Sequence, residues 1–158
     1  MGKRLAVLGT AIAVAALVAG VAIPAAGSSG QGGKDRTFRV TATVTEVSQI
    51  DLGAPGASLG DEIMFSGKLL QGGHQVGHQG AVGTTVSLQR HEAQFIATYS
   101  FGGGQITAQA PVILGSAAPY DVAITGGTGN YEGAKGEIHV VPATSTNPNG
   151  ILTFHLQD

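Results

Sequence analysis

Apolar and polar residues alternate in short runs along much of the chain. In FRVTATVTE, which begins at Phe38, every second residue up to Val44 is apolar, and the residues between them are arginine and threonine. The same alternation recurs in FIATYSF, residues 95–101, and in YDVAI, residues 120–124. A repeat of two residues indicates extended strands that each bury one face. One apolar face per strand implies one shared interior.

Short runs rich in Val, Ile, Thr, Phe and Tyr are separated by glycine-rich segments. Three of these, residues 72–73, 102–104 and 126–127, are interpreted as turns. No amphipathic helix of ordinary length is indicated after the N-terminal apolar segment. We therefore predict an all-β domain of about eight strands with hairpin-length connections, which suits a closed antiparallel barrel or a sandwich. The predicted strands lie near residues 37–50, 62–70, 75–90, 94–101, 105–114, 120–125, 135–142 and 150–157.

The N-terminal segment has the features of a secretory signal. Lys3 and Arg4 give it a short basic start, and an uncharged stretch rich in Ala, Leu and Val follows as far as Ile23. Small residues from 25 to 28 suit cleavage, so we predict a signal peptide over residues 1–27 and a secreted protein. An uncleaved membrane anchor is the alternative, because the apolar run is close to the ~20 residues that span a bilayer.

Composition narrows the picture further. The Gly- and Ser-rich segment after the signal predicts a flexible linker over residues 28–36, followed by one domain over residues 37–158. The formal net charge is −2 and the 8 Lys and Arg are scattered, so we expect no nucleic-acid partner. With 0 Cys, an exported chain depends on packing and backbone pairing, not on disulfides. After signal cleavage we expect no membrane association.

Glu46 stands out at the end of the first alternating run. Counted in steps of two from Phe38, it shares a face with Val40 and Val44. A carboxylate at that position either reaches water at a strand end or lies inside a cavity. Ser48 continues the same face and is the nearest candidate hydrogen-bond donor. The alternation marks Glu46 as a candidate functional residue pointing into the interior.

Other motifs give no comparable signal. The segment TGGTGNYEGAKG, residues 125–136, does not match the spacing of a phosphate-binding loop, and no helix is predicted beside it. His74 and His78 would be about 13 Å apart on an extended strand, too far for one metal ion, unless a bent hairpin brings them together. No GxSxG motif is present. We therefore predict neither a nucleotide-binding site nor a metal site from these motifs.

Four segments resemble the allene oxide cyclase-like barrels, relatives of the dirigent proteins. They are SLGDEIMFSGKL (58–69), QVGHQG (75–80), FIATYSFGGGQITAQAP (95–111) and DVAITGGTGNYEGAKGEI (121–138). The pattern GGTGxYxGAxG is the most specific part. The resemblance implies an eight-stranded barrel with a hydrophobic lumen, assembled as a homotrimer. It also implies cyclisation or coupling of a reactive small molecule without metal or organic cofactor.

The resemblance implies site residues within TEVSQIDLGAP. Glu46 matches the first-strand glutamate of the plant allene oxide cyclases, Ser48 matches an asparagine two positions on, and Pro55 matches a proline nine positions after the glutamate. In the plant enzymes the asparagine and the proline help to hold a water molecule that meets the epoxide oxygen of the substrate. Glu46, Ser48 and Pro55 are therefore the predicted catalytic residues.

The chain departs from the plant pattern at three positions. Gly67 and Gly83 stand where an asparagine and a cysteine are expected, which removes two polar groups from the site. Ala54 precedes the proline where the plant enzymes carry serine. These departures favour an apolar substrate different from that of the plant enzymes.

Two functions of different classes follow. In the first, a secreted cyclase or isomerase folds a conjugated substrate in its lumen, ionised Glu46 stabilises developing positive charge, and Ser48 orients water or a substrate oxygen. In the second, a non-catalytic carrier or dirigent-like barrel binds a hydrophobic small molecule and steers its coupling. Turnover by the purified protein alone would support the first, and dependence on an added oxidase the second. In both, the predicted substrate-binding residues are Phe65, Phe95, Tyr99 and Phe101.

The predicted signal has a direct test. The mature protein is expected outside the cytoplasm with an N-terminus between about residues 26 and 30, because small residues direct cleavage there. N-terminal sequencing of the protein from the culture medium checks this. A mature chain that still contains Leu5 to Ile23 would identify the segment as a membrane anchor.

Overall fold

The computed structural model describes residues 35–145 and 149–157, in which eight strands form a closed barrel. The strands are β1 (Arg36–Ile50), β2 (Glu62–Gln71), β3 (His74–Ser87), β4 (Glu92–Phe101), β5 (Gly104–Ile113), β6 (Tyr120–Gly129), β7 (Lys135–Pro142) and β8 (Gly150–Gln157). Each strand pairs antiparallel with the next one along the chain, and β8 pairs with β1 to close the sheet. The predicted all-β barrel is confirmed.

The predicted N-terminal segments fall largely outside this description. Residues 1–27, the predicted signal peptide, lie outside the described residues, as does the linker up to residue 34. Strand β1 begins at Arg36, one residue before the predicted start of the domain. Within the described ranges there is no helix long and apolar enough to cross a membrane.

Strand β6 corrects one turn prediction. The glycine pair 126–127 was predicted to be a turn, but β6 continues through it to Gly129. A β-carbon on Gly127 would overlap the carbonyl oxygen of Tyr131, so only glycine allows the backbones to come this close. The turn follows one residue later, where the Asn130 amide donates to the Gly103 carbonyl at 2.9 Å. Strand β3 also ends at Ser87, three residues earlier than predicted.

One end of the barrel is sealed by an aromatic plug, made of Phe38, Phe101, Phe154 and Tyr131. Phe38 and Phe154 stack with ring centroids 4.6 Å apart and an interplanar angle of 3°. Phe101 packs edge-on against both rings, at 5.5 Å and 5.6 Å. The Arg36 guanidinium lies 4.9 Å from the centroid of the Tyr131 ring and covers the plug from outside. The interior of the barrel is therefore closed at this end.

The opposite end is the mouth, where β1, β3, β5 and β7 end. Its largest described loop, residues 51–61, is held by Asp61, whose carboxylate accepts hydrogen bonds from the Leu52 amide at 2.9 Å and the Ser58 amide at 2.7 Å. The Ser58 and Leu52 amides and the Ser58 hydroxyl hold the pKa of Asp61 below its usual range. The Thr85 amide donates to the Asp61 carbonyl at 2.8 Å and the Gly60 amide donates to the Thr85 carbonyl at 3.0 Å, which ties the loop to β3. Pro55 lies exposed within this anchored loop.

A bulge in β1 decides which residues face inward near the mouth. Val44 pairs with Gly67 and Glu46 pairs with Ser66, so Thr45 is an extra residue in β1 with no partner in β2. An extra residue shifts the two-residue alternation by one position. Before the bulge the even-numbered residues of β1 face the interior, and after it the odd-numbered residues do.

The close contact between β1 and β2 generates a stability prediction. A β-carbon at Gly67 would overlap the Thr43 carbonyl oxygen, whereas one at Gly80 in β3 would meet nothing within 4 Å. We expect Gly67→Ala to lower the free energy of unfolding by about 1–3 kcal/mol, because overpacking forces the strands apart. Gly80→Ala is the matched control and should leave stability equal or up to about 1 kcal/mol higher. Urea unfolding measures both, and equal losses would contradict the argument.

Candidate functional site in the barrel lumen

The barrel encloses a cavity of about 350 Å³ that opens at the mouth. Residues from all eight strands line it, and most of their side chains are apolar. None of the described lining residues is Asp, Glu, Lys, Arg or His. The lumen therefore suits a molecule whose buried part carries no charge, because a charge without a partner is costly to remove from water.

The pairing register divides the wall formed by β2 to β5 into layers. Nearest the mouth, Gly83 pairs with Phe95 and Phe95 pairs with Ala110. Two residues deeper is an alanine layer, in which Ala97 pairs with both Ala81 and Ala108. A step of two residues along a strand is about 6.6 Å. The short alanine side chains leave room for a ligand between the mouth and the floor of the lumen.

A polar layer lies below the alanine layer. Gln79 of β3 pairs with Tyr99 of β4, and their side chains are only 5% and 6% exposed. Among the described residues, no hydrogen-bond partner is found for the Gln79 amide or the Tyr99 hydroxyl. No fully buried side-chain nitrogen or oxygen of the described residues lacks a partner, so these two polar groups must reach the cavity. They are available to bind a ligand.

Burial keeps the tyrosines of the lumen protonated. Removal from water raises the pKa of Tyr99, and the neighbouring Tyr120 adds to the effect. Burial also raises the pKa of Tyr120, which lines the cavity on the β6 side. Both phenols are therefore neutral hydrogen-bond donors at neutral pH. The Tyr99 ring packs edge-on against Phe154 at 5.2 Å, which connects the floor of the lumen to the aromatic plug.

Glu46 does not line this cavity, and the expectation that it points inward is wrong. The bulge at Thr45 turns Glu46 to the outer surface, where its carboxylate accepts a hydrogen bond from the Ser66 hydroxyl at 2.8 Å. Val47 and Gln49 face the lumen instead. The signal for this shift is the spacing of Val44 and Val47, which are three residues apart and not two.

Ser48 and Pro55 also lie away from the lumen. Ser48 shares the outer face with Glu46, and both border a surface depression that is also lined by Met64 and Ser66 and by two residues of the lumen wall, Val47 and Phe65. Pro55 is exposed in the anchored loop 51–61. The structure thus brings Glu46 and Ser48 to one face of the sheet but places neither among the cavity residues. Catalytic roles for Glu46, Ser48 and Pro55 remain predictions of the family resemblance.

Three of the four predicted wall residues line the cavity. Phe65 and Phe95 lie near the mouth with ring centroids 6.0 Å apart, and Tyr99 lies at the floor. Phe101 does not line the cavity, because it is two residues beyond Tyr99 and packs into the aromatic plug against Phe38. The alternation of apolar and polar residues identified the inward face of β4 correctly. It could not show at which residue of β4 the cavity ends and the aromatic plug begins. Sequence reasoning missed Gln79, although it shares its face with Ala81.

The histidines form no metal centre in the described part of the chain. His74 and His78 are exposed on β3. Within residues 35–145 and 149–157, no group of three or more Asp, Glu or His side chains is arranged to hold an ion. His139 contacts the Asp121 carboxylate at 2.7 Å on the outer surface of β6 and β7.

Comparison with known proteins places the chain among similar barrels. Residues 41–150 match the model of the family described as "Allene oxide cyclase barrel like domain". The solved structure of a pyocyanin demethylase is 30% identical, with a TM-score of 0.68, over 77% of this chain and 100% of that one. No curated protein sequence matches the chain.

More distant structures share the fold. A pterocarpan synthase dirigent protein has a TM-score of 0.62 at 18% identity, over 80% of this chain and 88% of that one. A Diels–Alderase from Streptomyces koyangensis has a TM-score of 0.59 at 16% identity, over 78% of this chain and 67% of that one. At these identities the likeness concerns the fold alone.

The position of Glu46 generates a prediction about the site. Acridone, an uncharged fluorescent aromatic, serves as a probe of binding in the lumen. Because the Glu46 carboxylate is exposed outside the lumen, Glu46→Gln should change the affinity for acridone by less than about twofold. It should change the free energy of unfolding by less than about 0.5 kcal/mol. Glu137→Gln, which removes another exposed strand carboxylate, is the control for loss of one surface charge. Once a substrate is known, a loss of turnover above about tenfold in Glu46→Gln alone would support the catalytic glutamate implied by the resemblance.

Proposed function

The chain belongs to the allene oxide cyclase barrel-like family, and from this premise we propose that it is an exported, cofactor-independent cyclase or isomerase of an apolar, reactive small molecule. The family match over residues 41–150 supports a small-molecule barrel. The cyclases, the demethylase and the dirigent proteins among the similar structures support a barrel that converts such a molecule or steers its reaction. The reaction type, the substrate and export are proposed.

One observation carries the proposal: neutral hydrogen-bond donors lie at the floor of a lumen whose described lining is mostly apolar and uncharged. Gln79 and Tyr99 reach the cavity beneath the alanine layer. A ligand that fills the lumen loses its water, and its acceptor atom gains these donors at the deep end. The arrangement orients an apolar molecule with one buried carbonyl, ether or ring nitrogen.

The chemistry follows from this orientation. Walls of fixed shape hold a flexible, conjugated substrate close to its cyclised conformation, which lowers the entropic part of the barrier. The Tyr99 hydroxyl then stabilises negative charge that develops on the bound acceptor atom, in a site from which water is excluded. Because burial raises the pKa of Tyr99, the proton stays on the phenol, and Tyr99 acts as a hydrogen-bond donor and not as a base.

The second candidate is a non-catalytic barrel that holds a small molecule while another enzyme makes it reactive. The similarity to dirigent proteins favours this function, at a TM-score of 0.62. Native mass spectrometry of the protein from the culture medium would identify a molecule that co-purifies with it. Conversion of that molecule by the purified protein alone supports the cyclase or isomerase. Conversion only after an oxidase is added supports the steering function.

Export and assembly as a homotrimer remain part of the proposal. An apolar row on the outer surface supports assembly: Met64 pairs with Val82, and Val82 pairs with Ile96, whose side chain is 55% exposed. Neighbouring apolar residues on an outer sheet face are typical of surfaces buried between copies of a chain.

The polar layer generates the test of the proposed function. We expect Tyr99→Phe to weaken acridone binding about three- to tenfold, because one hydrogen bond to the ligand carbonyl is lost. With an identified substrate, turnover should fall about 100-fold or more, because the bond is strongest in the transition state. Thr98→Val, on the outer face of the same strand, is the matched control. Unchanged turnover in Tyr99→Phe would contradict the proposed role.

The raised pKa of Tyr99 adds a pH dependence to the same experiment. Acridone affinity should be constant between pH 6 and 9, because the phenol remains protonated over this range. In the unfolded chain Tyr99 loses its proton near pH 10.0, and in the folded protein it does so only at a higher pH. Stability should therefore fall as the pH rises above about 10, and less steeply in Tyr99→Phe. A fall in affinity already at pH 8 would show that a different group binds the ligand.

A further inference from the structure

The ring of Phe95 occupies the space that a side chain at position 83 would need. A β-carbon built on Gly83 would lie 2.6 Å from both Cε atoms of Phe95 and slightly closer to Cζ. Nearly equal distances to these three atoms mean that the ring presents its face, not its edge, to Gly83. Gly83 itself is buried and pairs with Phe95 across β3 and β4. The Phe95 ring therefore packs directly against the backbone of β3 at Gly83.

The contact with Gly83 fixes the position of the Phe95 ring in the lumen. One face of Phe95 lies against Gly83, and the residue also lines the cavity, so the part of the ring that borders the cavity belongs to its other face or its edge. Phe65 flanks it at 6.0 Å with an interplanar angle of 42°, which leaves no space for a ligand between the two rings. Ala110 and Ala97, next to Phe95 on the wall, are too short to cover that part of the ring.

We propose that Gly83 and Phe95 form one specificity element, an aromatic shelf that selects flat, uncharged aromatic ligands. The proposal rests on the proposed binding of a small molecule in the lumen. A flat ligand stacks on the part of the Phe95 ring that borders the cavity and extends over the alanine layer toward Gln79 and Tyr99. Offset stacking adds about 0.5–1.5 kcal/mol to the burial of apolar surface, which corresponds to about a two- to tenfold gain in affinity.

Glycine at position 83 is required for the shelf. A side chain at position 83 would push the Phe95 ring into the lumen. The displaced ring would narrow the cavity, and its stacking surface would be lost. The absence of charged residues from the described cavity lining limits the ligand further to uncharged aromatic systems. The position of the Phe95 ring depends on glycine at position 83, so variants at the two positions should not have additive effects on binding.

Two probes separate flatness from size. Acridone is flat and carries one carbonyl and one ring N–H, and dicyclohexyl ketone has the same number of carbon atoms and one carbonyl but no flat ring. Because the ring N–H also differs, the part of the preference that Phe95→Leu removes measures stacking on Phe95. Isothermal titration calorimetry with the full protein should show about five- to tenfold tighter binding of acridone. In Phe95→Leu most of this preference should be lost, because acridone loses the ring on which it stacks and dicyclohexyl ketone does not stack there.

Variants at position 83 test the coupling. Gly83→Ala should weaken the binding of both probes by about tenfold or more, because the displaced ring enters the cavity. Gly83→Ala combined with Phe95→Leu should restore binding of dicyclohexyl ketone but not the preference for acridone. Gly80→Ala on the same strand, where a β-carbon meets nothing within 4 Å, should change neither affinity. Melting curves recorded for each variant separate lost binding from lost folding.

The outcomes distinguish the shelf from the proposed function. If both probes bind the unaltered protein equally, or if Phe95→Leu keeps the preference for acridone, the shelf is wrong and binding in the lumen stands. If Gly83→Ala folds and binds both probes as before, position 83 does not control the ring. If neither probe binds the unaltered protein, both the shelf and the proposed lumen function are overturned for ligands of this size.

Discussion

The stacked pair Phe38 and Phe154 is the contact on which the site depends. With centroids 4.6 Å apart and nearly parallel planes, it joins β1 to β8, where the sheet closes, and forms the centre of the plug. Without the plug the lumen would be a channel open to water at both ends. Because it is closed, Tyr99 packs against Phe154 at the floor of a blind cavity, and its loss of water raises the pKa of the phenol. The chemistry available at the floor thus follows from hydrophobic packing one layer below.

Glycine shapes the wall of the lumen by allowing other groups to come close. The resemblance to plant allene oxide cyclases suggested that Gly67 and Gly83 remove polar groups from the site. The structure adds a steric reason: β1 is too close to Gly67 for any side chain, and the Phe95 ring fills the space beside Gly83. The wall therefore gains an aromatic surface where a thiol was expected. A change of residue type is here a change in the shape and polarity of the cavity.

The sequence predicted the eight strands and their order because alternation and glycine-rich breaks are local signals. The prediction that Glu46 faces the interior was wrong, because the bulge at Thr45 depends on the pairing of β1 with β2. The bulge reverses which face each later residue of β1 occupies. The prediction that Phe101 lines the cavity was wrong for a different reason: the inward face was correct, but only the packed structure shows that the plug reaches this layer. Gln79 was missed because a polar residue among small ones gives no alternation to follow.

The polar floor also explains how an apolar lumen can discriminate between ligands. Water in the empty cavity can satisfy Gln79 and Tyr99, but an entering ligand displaces it. A hydrocarbon without an acceptor would leave these donors unpaired, at a cost of about 1–3 kcal/mol each. A charged ligand would lose its hydration and find no charged partner among the described lining residues. Binding is therefore most favourable for an apolar body with a single acceptor group, and that group enters first and is bound deepest.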